Sequence, residues 1–305
     1  MQIEETTYQG WAGCYRLTNG SIELIITGSF GPRIIRFGLA GSHNEFVELD
    51  ETLGRVGTDE WHLYGGHRFW HAPEHSVRTY QPDNQPVQVE PYADYVHIVQ
   101  PVETATGIQK EIDIYPHPDA AQVTIVHRLR NRNLWAVELA PWALSVMAPG
   151  GRAITPLPPR AGHSPDRLLP TNTLSMWSYT DMSDPRWTWG RQHIMLEQTA
   201  AAPQKIGVLN SEGWLAHARD GHLFVKTFTY QPGATYPDMG CSVQLFTNSV
   251  MLELETLGPL VRLAPGAYVE HVERWYLFDG VPTPQTEADI EAHVLPAVRQ
   301  ALDGA

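Results

Sequence analysis

Between residues 87 and 129 the chain runs through one short alternating segment after another, cut at close intervals by turn residues. The segments are 87–99, 108–115 and 122–129, with breaks at Pro91, at 104–107 (Thr-Ala-Thr-Gly) and at His117-Pro118-Asp119. No helical period separates them. Parallel strands need crossover connections, usually helices. Regular short strands without them predict an antiparallel β-sandwich. The pattern extends both ways. Asn19-Gly20 joins 15–17 to 22–27, and Asp220-Gly221 joins 214–218 to 223–230. Both are dipeptides suited to the tight hairpin turn that needs positive φ. Residues 136–147 read as a further strand. Only the end departs: Thr286 and Asp289 have capping-box spacing, and Ile290, Val294, Val298 and Leu302 recur at helical intervals. Pro296 should kink or split that helix. The expected architecture is all-β, a large antiparallel sandwich forming one domain over 1–305, with 285–303 as a helical tail.

Composition narrows the function classes. With 10 Trp and 12 Tyr the core can be large, and a net charge of -13 argues against nucleic acid or an anionic membrane surface as partner. Cys14 and Cys241 match no metal or redox spacing and read as buried thiols in a reducing compartment. The N-terminus lacks a basic and an apolar signal region, and no apolar run is long enough to span a bilayer. The expectation is a cytoplasmic protein.

Two stretches carry candidate chemistry. In Met251-Leu-Glu-Leu-Glu255 the period of two puts Leu252 and Leu254 on one strand face and Glu253 and Glu255 on the other. The carboxylates then stand about 7 Å apart. Pro265-Gly266 marks a turn, and in 269–278 His271, Glu273 and Trp275 share a face. The second stretch, WHLYGGHRFWHAPEH (61–75), interleaves Arg68 and histidines with aromatics after Gly65-Gly66. Aromatic surface with fork-shaped donors suits a polyhydroxylated ring. His67, His71 and His75 would share a helical face and could ligate a metal, but Gly65-Gly66 and Pro73 oppose a helix. A polar pocket rim without metal is preferred. Arg33 and Arg36 read as surface charge on an edge strand. Lys226, among Phe224, Phe228 and Tyr230 on one face, either snorkels at an edge or, the preferred reading, faces a pocket. Residues 154–170 form an irregular loop suited to a lid or rim, and 177–189 are either a packing insert or a ligand wall.

The run LETLGPLVRLAPGAYVEHVERWYLF (254–278) resembles the C-terminal signature of the galactose mutarotase-like, or aldose 1-epimerase-like, superfamily. NGSIELIITGSFGPRIIRF (19–37) resembles its first strands, where an Asn near His43-Asn44-Glu45 closes a hairpin. The resemblance implies a cofactor-free sugar site in a concave cleft, with Glu255, within Leu-Glu-Thr, as catalytic base. It also implies Tyr64 in place of a sugar-binding His of a Leu-His-Gly-Gly motif. The superfamily's Asn-His pair, whose His is the general acid, finds Ala140-Pro141-Trp142 at its place. His67 and His71 are therefore candidate acids, with Lys226 and Tyr64 behind them. Tyr64, Arg68, Trp70, Lys226, Asp238 and Glu253 are candidate substrate contacts. The partner expected is a small carbohydrate. The alternatives are a carbohydrate-binding protein without catalysis and a metal-dependent sugar isomerase or lyase using His67, His71 and His75; paired carboxylates also suit glycoside hydrolysis.

Overall fold

A computed structural model describes residues 1–199 and 201–304. Among these, the strands form an 11-stranded and a 10-stranded sheet, antiparallel throughout. The first sheet runs, in spatial order, Gln2–Tyr8, Trp11–Thr18, Ile22–Thr27, Arg33–Leu39, Gly66–Ala72, Val137–Met147, Leu252–Leu257, Val243–Thr247, Gln204–Val208 and Leu174–Met176. Val261–Leu263 adds to Val137–Met147 off this path. The second runs Trp187–Trp189, His193–Glu197, Arg152–Pro156, Trp214–Arg219, His222–Phe228, Tyr268–Asp279, Gln122–Asn131, Ile108–Pro116, Val96–Val99 and Gln88–Pro91.

Alternation explains the layering. Leu252 and Leu254 turn inward and join one hydrophobic core with Ile112, Ile125, Phe224 and Trp275 of the second sheet. Burying such side chains is the main favourable contribution to folding, roughly 1.5–3 kcal/mol each. Both hairpins form where the dipeptides placed them. Asn19 Oδ1 accepts from the amides of Ser21 and Ile22, which closes the first turn. Asp220 (φ 50°) and Gly221 (φ 84°) adopt the left-handed conformation that the second requires. Asn44 ties its own turn, accepting from the amides of Phe37 and Phe46.

The C-terminal helical segment lies on the outer side of the second sheet. Ile290, Val294, Ala297, Val298 and Ala301 pack against Ile154, Trp214, Ala216 and Tyr276. Thr286 and Asp289 make the reciprocal capping bonds. The helix is split ahead of Pro296: Leu295 N–H reaches back five residues to Ile290 O, giving one wide turn before Leu295–Asp303.

Two expectations are corrected. Arg33 is not surface charge: it is 0% exposed, its Nη2 is 2.5 Å from Asp83 and its Nη1 donates to Gly65 O at 2.9 Å. Arg36 is half-buried and paired with Glu23 at 2.7 Å. Strand Gln2–Tyr8, too polar to stand out as a core strand, adds the outermost edge to the first sheet.

Candidate functional site

The outer face of the first sheet, turned away from the shared core, gathers charge at its centre. Three adjacent strands are in register there: Leu144 of Val137–Met147 is paired with Arg68 on one side and Glu255 on the other, and Gln244 is paired with Glu255 in turn. Residues opposite one another on neighbouring strands share a face. Arg68, Leu144, Glu255 and Gln244 therefore form one row. Trp70, Trp142 and Leu257 form a parallel row, packed together with Trp61 as an apolar floor.

Glu255 is 0% exposed. Its Oε2 accepts from Trp142 Nε1 at 2.7 Å and from Lys205 Nζ at 3.3 Å. Its Oε1 lies 3.3 Å from the same ammonium but has no hydrogen bond. Burial pushes the carboxyl up to about 7, against the pull of Lys205 and with a further push from the Glu253 charge. The ammonium of Lys205 is held over the rings of Trp142 and Trp177, at 5.0 and 4.9 Å from their centroids. Glu253 Oε1 accepts from Arg68 Nη2 at 2.7 Å, and the guanidinium lies 4.3 Å from the Trp70 ring centroid.

Loops close over this row. Trp61, Trp70 and Tyr80 pack edge to face or tilted with centroids 5.3–5.8 Å apart. Burial raises the Tyr179 phenol, and the charges of Glu255, Glu74 and Glu253 add to the effect. Asp238 and Met239 are both left-handed (φ 51° and 67°), and Asp238 Oδ2 accepts from Gln244 Nε2 at 2.6 Å. Several polar atoms here are buried without a partner: Arg68 Nε and Nη1, Gln244 Oε1, Glu255 Oε1 and Trp61 Nε1. Leaving such groups unmade costs about 1–3 kcal/mol each. They are two kinds of donor and two kinds of acceptor in one place, which a ligand bearing several hydroxyls would satisfy.

Of the residues the sequence put forward, Glu255, Glu253, Arg68, Trp70 and Asp238 are thus brought together. Four are not. His67 and His71 have the opposite strand parity to Arg68 and point between the sheets. His67 is bonded to Ser145 Oγ at 2.9 Å and to His127 Nε2 at 2.7 Å, and His127 Nδ1 donates to His271 O at 2.9 Å. His71 is lowered to about 4 by burial, with Lys110 adding to the effect. Lys226, read as facing a pocket, is fully buried in the core with Nζ 2.8 Å from Glu273 and 3.2 Å from Leu254 O. Tyr64 belongs to an aromatic cluster with Trp11 and Phe30, and its hydroxyl donates to Asn84 at 2.6 Å. His67, His71 and His75 do not converge: four strand residues span about 13 Å, and His75 sits in an exposed turn accepting from Val77 N.

Sequence reading missed Lys205, Trp61, Tyr80, Tyr179 and Gln244. The available signal for Lys205 was a lone lysine in the otherwise apolar run 205–209. For Trp142 the sequence offers only its place, where the resemblance expects a histidine. The 177–189 segment divides between both its readings, with Trp177 against Lys205 and Trp187 in the shared core. Loop residues 157–172 line a groove with Arg191 and not with Glu255.

No family model matches the sequence, and no curated protein matches it. Solved structures do. A galactose mutarotase-like protein from Lactobacillus casei ATCC 334 aligns with TM-score 0.54 and 11% identity over 87% of this chain and 100% of that one. A galactose mutarotase-like protein from Clostridium acetobutylicum gives 0.54 and 10% over 91% and 98%. The Slr1438 protein of Synechocystis sp. PCC 6803 gives 0.59 and 10% over 90% and 99%. At these identities the likeness is one of fold. Its two antiparallel sheets, aligned along nearly the whole length of such proteins, give this chain the galactose mutarotase-like fold.

Proposed function

We propose that the protein binds a sugar on the Glu255 face and interconverts its anomers, with Glu255 as base and Lys205 as acid. The observation that carries this reading is a fully buried carboxylate in direct contact with an ammonium group, with burial pushing the carboxyl up to about 7. Mutarotation needs a base and an acid held beside the ring, and a carboxyl near 7 suits the base. Glu255 removes the proton of the anomeric hydroxyl, and its electron pair forms the carbonyl as the C1–O5 bond breaks. The ring oxygen takes a proton from Lys205. The open aldehyde rotates about C1–C2, and closure on the other face returns both protons. Arg68, Gln244 and Trp61 offer the unpaired donors and acceptor for the remaining hydroxyls, and Trp70 and Trp142 offer apolar ring faces.

A second reading is sugar binding without turnover. It is favoured by Trp142, a neutral N–H donor, standing where the resemblance expects the acid. Polarimetry of freshly dissolved aldoses, with wild type and Glu255→Gln, separates the two. Acceleration that vanishes in the variant supports catalysis by Glu255. Acceleration that survives moves the base elsewhere. No acceleration, with saturable quenching of tryptophan fluorescence by a sugar, selects binding alone.

A further inference from the structure

We infer that His43, Glu45 and His222 form a binding site for a divalent transition-metal ion of the Zn2+ type, joining the two sheets at a point remote in sequence from the Glu255 cluster. The turn that follows Arg33–Leu39 in the first sheet supplies His43 and Glu45, and the first residue of His222–Phe228 in the second supplies His222. One ligand atom from each lies within 4.8 Å of the others. Glu45 Oε1 is 3.2 Å from His43 Nε2 and 2.7 Å from His222 Nδ1. Donors about 2.0–2.2 Å from a tetrahedral ion stand roughly 3.3–3.5 Å apart. Closing on an ion therefore needs the shorter contact to open by about half an ångström. It also needs the imidazoles, stacked at 4.2 Å between centroids, to tilt apart. His43 can do so, being on a turn with its side chain 32% exposed.

An independent observation points to a ligand. The Glu45 carboxylate is 0% exposed, yet its Oε2 has no partner. Burying a carboxylate oxygen without a donor is costly, and a bound cation is one of the few groups that offsets it. Arg219 makes no bond to this oxygen: its Nη1 is held by Asp220 at 2.9 Å, its Nη2 by Asn44 O at 2.6 Å, and its buried Nε is itself without a partner. The far side of His222 is furnished as well. Its Nε2 faces Ser42 Oγ at 3.5 Å, with the exposed Asp279 carboxylate 3.9 Å away, beyond hydrogen-bond reach. A metal-ligating imidazole directs its second nitrogen to such oxygens, which fix the tautomer and orient the ring. Two imidazoles and a carboxylate, with solvent beside His43 for a fourth ligand, suit Zn2+ better than the all-oxygen shells of Ca2+ or Mg2+.

The test is calorimetric titration of ZnCl2 into the full chain after chelator treatment and desalting. Wild type should take up one Zn2+ per chain. His43→Ala and Glu45→Gln should each lose more than the about 10–100-fold that removal of an outer-shell partner costs. Added Zn2+ should raise the melting temperature of wild type but not of His43→Ala. Because His43 is half-exposed on its turn, that variant should melt close to wild type in chelator. No saturable uptake by wild type overturns the assignment. So does unchanged affinity in a folded His43→Ala, which would place the ion elsewhere, as at His67, His127 and Glu273.

Discussion

Trp142 and Glu255, on adjacent antiparallel strands, meet at 2.7 Å, the indole N–H donating to a fully buried carboxylate. An indole offers a donor and nothing else. Trp142 can stabilise the ionised base but cannot be the acid, and the neighbouring proton donor is Lys205.

Glu255→Gln should lower the rate of anomer interconversion by about 10²–10⁴-fold, the usual contribution of one general acid–base group. Sugar affinity should change little, because the amide still accepts from Trp142. Polarimetry paired with fluorescence titration reads both quantities. Loss of affinity with no separate loss of rate would contradict the assignment.

The pH dependence has two opposite faces. The base form of Glu255 prevails only above about 7, so activity should rise through that pH and level off. Stability should go the other way. The folded value is raised, so the protonated carboxyl contributes fully below its ordinary 4.5 and that contribution is lost as pH climbs to about 7. In urea melts wild type should lose stability relative to Glu255→Gln across this window. A constant difference between the two would count against a raised carboxyl.

Lys205→Met tests the acid. The rate should fall by about 10²-fold or more, and the rising limb of the pH profile should move to higher pH, because the Lys205 charge pulls the Glu255 carboxyl down. A lysine that only holds the carboxylate would move the limb in the same way, so an unchanged rate on the plateau above it would count against Lys205 as the acid.

Asp83→Ala strands Arg33, which is buried and has no other carboxylate partner among the described residues. Removing one partner of a buried ion pair typically costs about 3–5 kcal/mol. A guanidinium melt should show a loss of that order, and Arg33→Met in the same chain should return part of it. A loss below about 1 kcal/mol would mean that the pair behaves as an exposed one.

Lys226→Met should cost about as much, since Glu273 is fully buried beside it. Burial raises the Glu273 carboxyl, but Lys226 and the histidines around it outweigh that and hold it well below the usual carboxylate range. Its folded value is depressed, so its stabilisation is present above the ordinary 4.5 and lost as pH falls below it. Wild type should therefore lose more stability than Lys226→Met on acidification, as followed by denaturant melts at successive pH values.

What was legible in the sequence was what alternation and turn chemistry decide locally. Both hairpins, the strands from residue 87 to 147, the capping box and the shared outward face of Glu253 and Glu255 depend on neighbours a few residues apart. Tertiary structure alone decided which distant groups share a face with Glu255. Arg68 and His67 are adjacent in sequence, and strand parity separates them. Pairing with Leu144 puts Arg68 on the face of Glu255, where it bonds Glu253, and His67 is left facing His127 across the core. Lys205, Arg33 and Tyr64 were misjudged or missed because their partners, Glu255, Asp83 and Asn84, lie 50, 50 and 20 residues away. Periodicity is a property of one segment, but the burial and pairing of a charge follow from the register between segments, which no single segment encodes.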